Sequence, residues 1–305
     1  MDRLGAPDTD HPLWAHLGSE IGARTGGDFS VESVNPVAGG CINHSAIIAA
    51  SAGSYFVKLN TANRLQMFEA EAEALKEMSS AAALRVPEPV CSGSFGEFAW
   101  LVLENLGRLG AGTSAAWGVL GAGLAKMHRC NDDNFGWHRN NTIGSTTQIN
   151  TRTRDWIGFL REQRLGYQLA LAARNGYARQ LESRGRLLLD KLDRFFIGYD
   201  PVPSLLHGDL WSGNVGFDTH GGPVVFDPAS YYGDREADIA MTELFGGFPR
   251  AFYRAYEAEW PLDDGYSRRK DLYNLYHLLN HLNLFGGGYL GQCRSCIDKL
   301  LEMPC

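Results

Sequence analysis

Apolar and polar positions change rhythm once along this chain. Up to about residue 104, short runs rich in β-branched and aromatic residues dominate: Phe29–Val37, Ile42–Ala50, Tyr55–Leu59 and Phe98–Glu104 each read as strands. One stretch, 62–80, repeats at helical spacing instead, and Leu65, Phe68, Ala72, Leu75 and Met78 fall on one stripe at about 100° per residue. The prolines of Val86-Pro87-Glu88-Pro89-Val90 end that helix. Each removes a donor and disfavours helical geometry in the residue before it. Asn105-Leu106-Gly107 reads as a hinge, and beyond it helical spacing takes over. Trp117, Leu120, Leu124 and Met127 mark one helix, Trp156, Phe159 and Leu160 another. Leu272, Leu275, Tyr276, Leu279 and Leu282 mark a third. A compact β-like interruption, 205–227, sits inside this helical half. The expectation is an α+β chain in two lobes. Residues 1–106 form a small β-rich N-terminal lobe, and 107–305 a larger, mainly helical C-terminal lobe with the β-like insertion.

Composition narrows the function classes. With 44% hydrophobic and 21% charged residues the chain has material for a core, which argues against disorder. A net charge of −7 argues against a nucleic-acid partner. No apolar run approaches the roughly 18 residues that span a bilayer. The first residues lack the basic-then-apolar order of a signal peptide, so no membrane partner and a cytoplasmic location are expected. In that compartment the six cysteines are expected as thiols. Cys293 and Cys296 have no second pair to complete a zinc site and are expected to be solvent-facing near a helix end.

The polar residues in the β-like interruption carry the chemistry. His207-Gly208-Asp209 is followed by Asn214 at the interval of the protein-kinase catalytic loop, with Gly208 in place of its arginine. Phosphoryl transfer needs a carboxylate that orients and deprotonates the acceptor hydroxyl, here Asp209, and oxygen ligands for Mg²⁺, here Asn214. Asp227 closes the apolar run Val224-Val225-Phe226 and supplies a second metal ligand. His-Gly-Asp alone is as compatible with an Asx-type turn. The register with Asn214 and Asp227 favours the kinase reading.

Two upstream residues test it independently. Lys58 sits at the end of the apolar run Tyr55-Phe56-Val57, where a phosphate-positioning lysine belongs. Of Glu69, Glu71, Glu73 and Glu77, only Glu71 falls within the apolar helix stripe, so it needs a cationic partner, and Lys58 is the nearest candidate. The alternatives are a hydrated helix-edge glutamate and a lysine snorkelling to solvent. Ala38-Gly39-Gly40-Cys41 lies between two β-runs ahead of Lys58, where a loop covering nucleotide phosphates belongs, although by itself it reads as a hairpin turn. Cys41 in that loop is a redox candidate, because cationic surroundings lower a thiol's pKa. A small loop-filling residue is the other reading.

Assembled, these residues resemble the fructosamine kinase (ketosamine-3-kinase) family, within the aminoglycoside-phosphotransferase-like kinases of protein-kinase-like fold. The likeness runs from about residue 11 to the end. It rests on Gly39–Ile42, Met67-Phe68-Glu69 with Glu71, the Leu-Trp-Ser-Gly-Asn continuation of His207-Gly208-Asp209, and Asp227-Pro228-Ala229. Tyr232–Met241 and Asn280–Gly286 extend it.

What the resemblance implies is ATP- and Mg²⁺-dependent phosphorylation of the 3-hydroxyl of a ketosamine, small or protein-bound, by a monomer or weak dimer. Decomposition of the product then frees the amine. It implies Asp209 as base and Asn214 and Asp227 as metal ligands. Gly39, Gly40, Cys41, Lys58, Glu71 and the backbone of Glu104, Asn105 and Leu106 would hold the nucleotide. His207 and Asp238 are structural, Asp238 bracing the catalytic loop. Trp211 is placed either on a sugar face or in the core, and His281 is a substrate candidate or a satisfied helical histidine. The rivals are a kinase of the same fold acting on an aminoglycoside, choline or sugar hydroxyl, and a nucleotide-binding regulator without turnover.

Overall fold

A computed structural model of the chain describes residue 5 and residues 7–38 and 42–303. The Gly39-Gly40-Cys41 stretch lies outside the described residues, and with it the expectations of a nucleotide-covering loop and a redox-active Cys41. The chain forms two compact units. The first comprises Met1–Ala111 and Gly216–Phe226, the second Gly112–Val215 and Asp227–Cys305.

The first unit is built on five antiparallel strands, β1 (Ser33–Val37), β2 (His44–Ala50), β3 (Gly53–Thr61), β4 (Pro89–Phe95) and β5 (Phe98–Glu104), in the order β1-β2-β3-β5-β4. Strand β5 is buried along all but its last position, as an unbroken apolar run should be. Two helices flank the strands, α1 (Pro12–Thr25) and α2 (Leu65–Ser80). Leu13, Trp14, Leu17 and Ile21 of α1 share a core with Ile48, Val57, Leu59, Trp100 and Val102. On α2 the apolar stripe is buried at Phe68, Ala72, Leu75 and Met78. It widens to Met67, Ala70 and Ala74, while Leu65 is only half-buried.

Three local readings are corrected here. Helix α1 was not anticipated, although Pro12 opens it, His11 Nδ1 accepts the Leu13 N–H at 3.1 Å, and Gly26 at φ 77° closes it. Nor was β4, because Pro87 and Pro89 at its start read only as breakers. It is an edge strand, where a missing N–H is tolerated. The run Phe29–Val37 is strand only from Ser33, and Phe29 instead plugs the α1 core. The later hairpin of Val215–Phe217 and Pro223–Val225 is tied on by Gly110 N–H to Phe217 O (2.8 Å) and Val225 N–H to Arg85 O (3.0 Å).

The second unit is mainly helical. Helix α3 (Ser114–His128), capped by Thr113, packs on α8 (Arg250–Glu259) so closely that a Cβ at Gly121 would lie 2.2 Å from the Phe252 carbonyl oxygen. A long broken run holds α4 (Trp156–Phe159), a π-helical segment Leu160–Gly166, α5 (Tyr167–Ala172), a π-turn Ala173–Tyr177 and α6 (Ala178–Leu189). Helices α7 (Glu236–Leu244), α9 (Tyr266–Phe285) and α10 (Leu290–Glu302) complete it. All five stripe residues of α9, Leu272, Leu275, Tyr276, Leu279 and Leu282, are buried. Cys293 is not solvent-facing, and Cys296 is so only in part. Cys293 is fully buried with Ile297 and Leu300 on the apolar face of α10, and Cys296 Sγ donates to the Asp271 carbonyl at 3.3 Å. Burial pushes both thiols up to about 12. Among the described residues no helix is long and apolar enough to cross a membrane.

Candidate active site

Lys58 lies within β3, opposite Ser45 on β2 and Leu101 on β5. Alternation along the strand turns it away from the face that Val57 and Leu59 share with α1, and toward α2. There its Nζ forms an ion pair with Glu71 Oε1, and the two side chains are 6% and 10% exposed. That burial decides against both the hydrated glutamate and the snorkelling lysine. At the end of β5 the Glu104 carboxylate accepts from Arg85 Nη2 at 2.6 Å and from the Glu88 N–H at 3.3 Å. Asn105 Nδ2 donates to Ser54 Oγ at 2.8 Å, and its Oδ1 accepts the Gly107 N–H at 3.0 Å, closing an Asx turn in which Gly107 has φ 67°. Both side chains are therefore engaged in shaping the turn around the half-buried Leu106.

In the second unit the 206–214 segment is pinned by its backbone. Asp238, in the first turn of α7, accepts the His207 N–H on Oδ2 at 2.7 Å and the Gly208 N–H on Oδ1 at 2.8 Å. His128 Nε2 lies 3.1 Å from the same Oδ2, and His128 Nδ1 is 2.8 Å from the Tyr256 hydroxyl. Burial raises the Asp238 carboxyl, but the His128 contact and the Gly208 N–H outweigh it and hold the group below the usual carboxylate range. His207 is itself buried, and its Nδ1 accepts the Asp209 N–H at 3.2 Å. Gly208 has φ 83°, and a Cβ there would sit 2.1 Å from the Ala229 carbonyl oxygen. That crowding explains why glycine stands where the protein-kinase loop carries arginine.

Asn214 Nδ2 donates to the Asp209 carbonyl at 2.9 Å and reaches its carboxylate Oδ2 at 3.3 Å. Burial, then the charge of Asp227, pushes the Asp209 carboxyl up to about 7, against the Asn214 hydrogen bond that lowers it. Asp227 is one of two described non-glycine residues at positive φ, 58°, a conformation that costs about 1–3 kcal/mol and persists only where neighbours over-determine it. They do so here. The Ala229 N–H donates to His207 O at 2.8 Å. Gln148 Nε2 holds the Ala229 carbonyl at 2.9 Å, and Asn141 Nδ2 holds the Ser230 carbonyl at 2.8 Å. Tyr276 in turn donates to Gln148 Oε1 at 2.8 Å.

Asn214 Oδ1 and the Asp227 carboxylate would each offer oxygen, the donor a hard divalent cation requires. Among the described residues no group of three His, Cys, Asp or Glu side chains could hold a metal alone. A cation here would therefore take further oxygens from phosphates or water, as magnesium does. Trp211 is 37% exposed, with its indole over Gly213, so it is not core packing. His281 Nδ1 donates to the His277 carbonyl at 2.8 Å, and its ring is flanked by Phe245, Tyr289 and Phe285 at 4.8, 5.1 and 5.5 Å.

His128, Tyr256, Gln148 and Asn141 were not singled out from sequence. Each lies far along the chain from the loop it supports, and only the position of His128 at the end of an apolar helix stripe hints at burial.

Comparison with known proteins decides the family. Residues 13–303 match the family described as fructosamine kinase. The chain belongs to that family. Among its relatives is a probable ketoamine kinase of Synechocystis, 45% identical over 291 residues that cover 95% of this chain and 97% of the relative. A chloroplastic protein-ribulosamine 3-kinase of Oryza sativa subsp. indica is 42% identical, covering 90% and 80%. Among solved structures, a fructosamine-3-kinase candidate from Haemophilus somnus superposes with a TM-score of 0.87 at 27% identity, covering 94% and 97%. An aminoglycoside phosphotransferase crystallised with ADP and hygromycin B shares the fold, with a TM-score of 0.63 at 16% identity over 95% and 98%. The family thus has the two-lobed α+β kinase fold expected from the sequence.

Proposed function

We propose that this family member is an ATP- and Mg²⁺-dependent kinase that phosphorylates the 3-hydroxyl of ketosamines, free or protein-bound, and so starts their breakdown to the parent amine. The observation that carries the reading is the second-unit constellation: Asp209 held by Asn214, beside Asp227, on a loop pinned by Asp238. Kinase chemistry follows from the family, and the named relatives act on ketoamines and ribulosamines.

Each residue takes a role that its contacts support. Asn214 occupies Asp209 Oδ2 and leaves Oδ1 without a hydrogen bond among the described residues, so Oδ1 orients the acceptor hydroxyl and takes its proton. Without metal, burial and the Asp227 charge raise the Asp209 carboxyl, which makes it a stronger base than an ordinary one; a cation at Asp227 would offset that repulsion and favour its ionised form. Asn214 Oδ1 and Asp227 would hold Mg²⁺, which when bound neutralises charge on the transferring phosphoryl group. Lys58, fixed by Glu71, meets the nucleotide phosphates, and the backbone of 104–106 meets the base.

The test is ADP release across ketosamines, aminoglycosides, choline and free sugars, with the product phosphate located by NMR. Preferential turnover of ketosamines at the 3-position supports the reading. Preference for another class, or nucleotide binding with no turnover, overturns it.

A further inference from the structure

The second unit carries a group of aromatic rings that phosphoryl transfer itself does not use. Phe245, Phe285 and Tyr289 surround the His281 ring at 4.8, 5.5 and 5.1 Å, and Phe285 and Tyr289 are 6.5 Å apart. None of the four is buried, and Phe285 is 50% exposed. A joined group of half-buried aromatics ending in an exposed one offers a place where a ligand could dock. The cluster is continuous with the proposed catalytic loop, because Trp211, two residues beyond Asp209, meets Phe245 edge-on at 6.2 Å.

His281 gives the cluster its polarity. Its Nδ1 donates to the His277 carbonyl, so Nδ1 carries the proton and Nε2 is left as an acceptor with no partner among the described residues. Partial burial lowers the His281 pKa, which favours the neutral imidazole. Three π-faces and one lone-pair nitrogen, with no cation of their own, favour a positively charged N–H group. Ring quadrupoles attract cations, and an imidazole lone pair accepts from N–H.

Resting on the proposed function, we infer that Phe245, Phe285 and Tyr289 with His281 Nε2 form a binding site for the protonated secondary amine of the ketosamine. Trp211, two residues from Asp209 in the chain and in ring contact with Phe245, links the base to the cluster, so the sugar chain would run from the base past Trp211 with the nitrogen in the cluster. The site separates ketosamines from free sugars and from neutral N-acyl analogues, which carry the same hydroxyls without the charge.

The test compares KM for a ketosamine with KM, or Ki as competitor, for its N-acetylated counterpart. The variants are Phe285→Leu and Tyr289→Leu, which keep apolar bulk but remove the π-face, and Phe285→Tyr and Tyr289→Phe, which keep it. Each leucine variant is expected to raise ketosamine KM about two- to fivefold, with kcat, KM for ATP and the N-acetyl constant unchanged, so that discrimination falls by the same factor. The aromatic exchanges should retain it. Equal effects on both ligands, or no effect, overturn the assignment. Should the wild-type protein turn over no ketosamine at all, the proposed function fails first, and that outcome is read from the wild type alone.

Discussion

Replacing Asp238 by asparagine isolates what holds the catalytic loop, because it changes one buried oxygen and almost no volume. Both carboxylate oxygens accept a backbone N–H, from His207 at 2.7 Å and Gly208 at 2.8 Å, and Oδ2 also lies 3.1 Å from His128 Nε2. An amide keeps one of those acceptors and turns a donor toward a donor at the other. The lost hydrogen bond to a charged group and the stranded N–H are together worth about 3–4 kcal/mol. For a unit of this size that corresponds to a fall in Tm of roughly 6–16 °C. Displacing the loop that carries Asp209 by even about 1 Å should also lower kcat about 10²-fold. The pH dependence has a definite sign. The folded carboxyl is depressed, so its stabilisation is present above the unfolded value of about 3.9 and is lost as pH falls through the folded value. Asp238→Asn should therefore narrow its stability gap to wild type on acidification below about pH 4. Guanidinium unfolding at several pH values, with single-turnover kinetics, measures both. A loss under about 1 kcal/mol with kcat within twofold of wild type would refute the bracing argument.

Asp209→Asn should lower kcat by about 10²–10⁴ while leaving nucleotide binding, read by calorimetry, within a few-fold. The Asp209 carboxyl is raised in the fold to about 7, so its neutral form is favoured and stability falls as pH rises from the unfolded value through about 7. Asp209→Asn is accordingly expected to melt higher than wild type at pH 8 in metal-free buffer; equal melting would show that the repulsion is absent. Glu71→Gln breaks the buried ion pair with Lys58, which costs about 3–5 kcal/mol, and should raise KM for ATP at least tenfold; an unchanged KM would sever Lys58 from the nucleotide. Gly208→Ala places a Cβ 2.1 Å from the Ala229 oxygen at φ 83°, so loss of both stability and activity is expected in thermal melts and turnover assays.

The legible part of this protein was the part where local pattern and chemistry coincide. Lys58 and Glu71 could be paired from sequence because strand alternation and helix periodicity each leave one charged residue on an apolar face. Asp209, Asn214 and Asp227 stood out because their spacing matches that of a kinase catalytic loop. What escaped has two physical origins. Helix α1 and strand β4 were overlooked beside louder signals, the proline pair above all, although Pro89 sits at an edge strand that tolerates it. The supporting shell escaped for a deeper reason. Gln148, Asn141 and Tyr276 hold the segment after Asp227 through contacts of sequence separation 81, 89 and 128. Polar residues of that kind look like surface until the fold buries them, and nothing local marks them. They fix the backbone two and three residues beyond Asp227, whose positive φ needs such support, so one metal-ligand candidate that sequence could name leans on neighbours that it could not. The aromatic group around His281 is the same case at the substrate end. Phe245 belongs to the segment after α7, while His281, Phe285 and Tyr289 lie on and just beyond α9, so their common surface exists only after the helices pack.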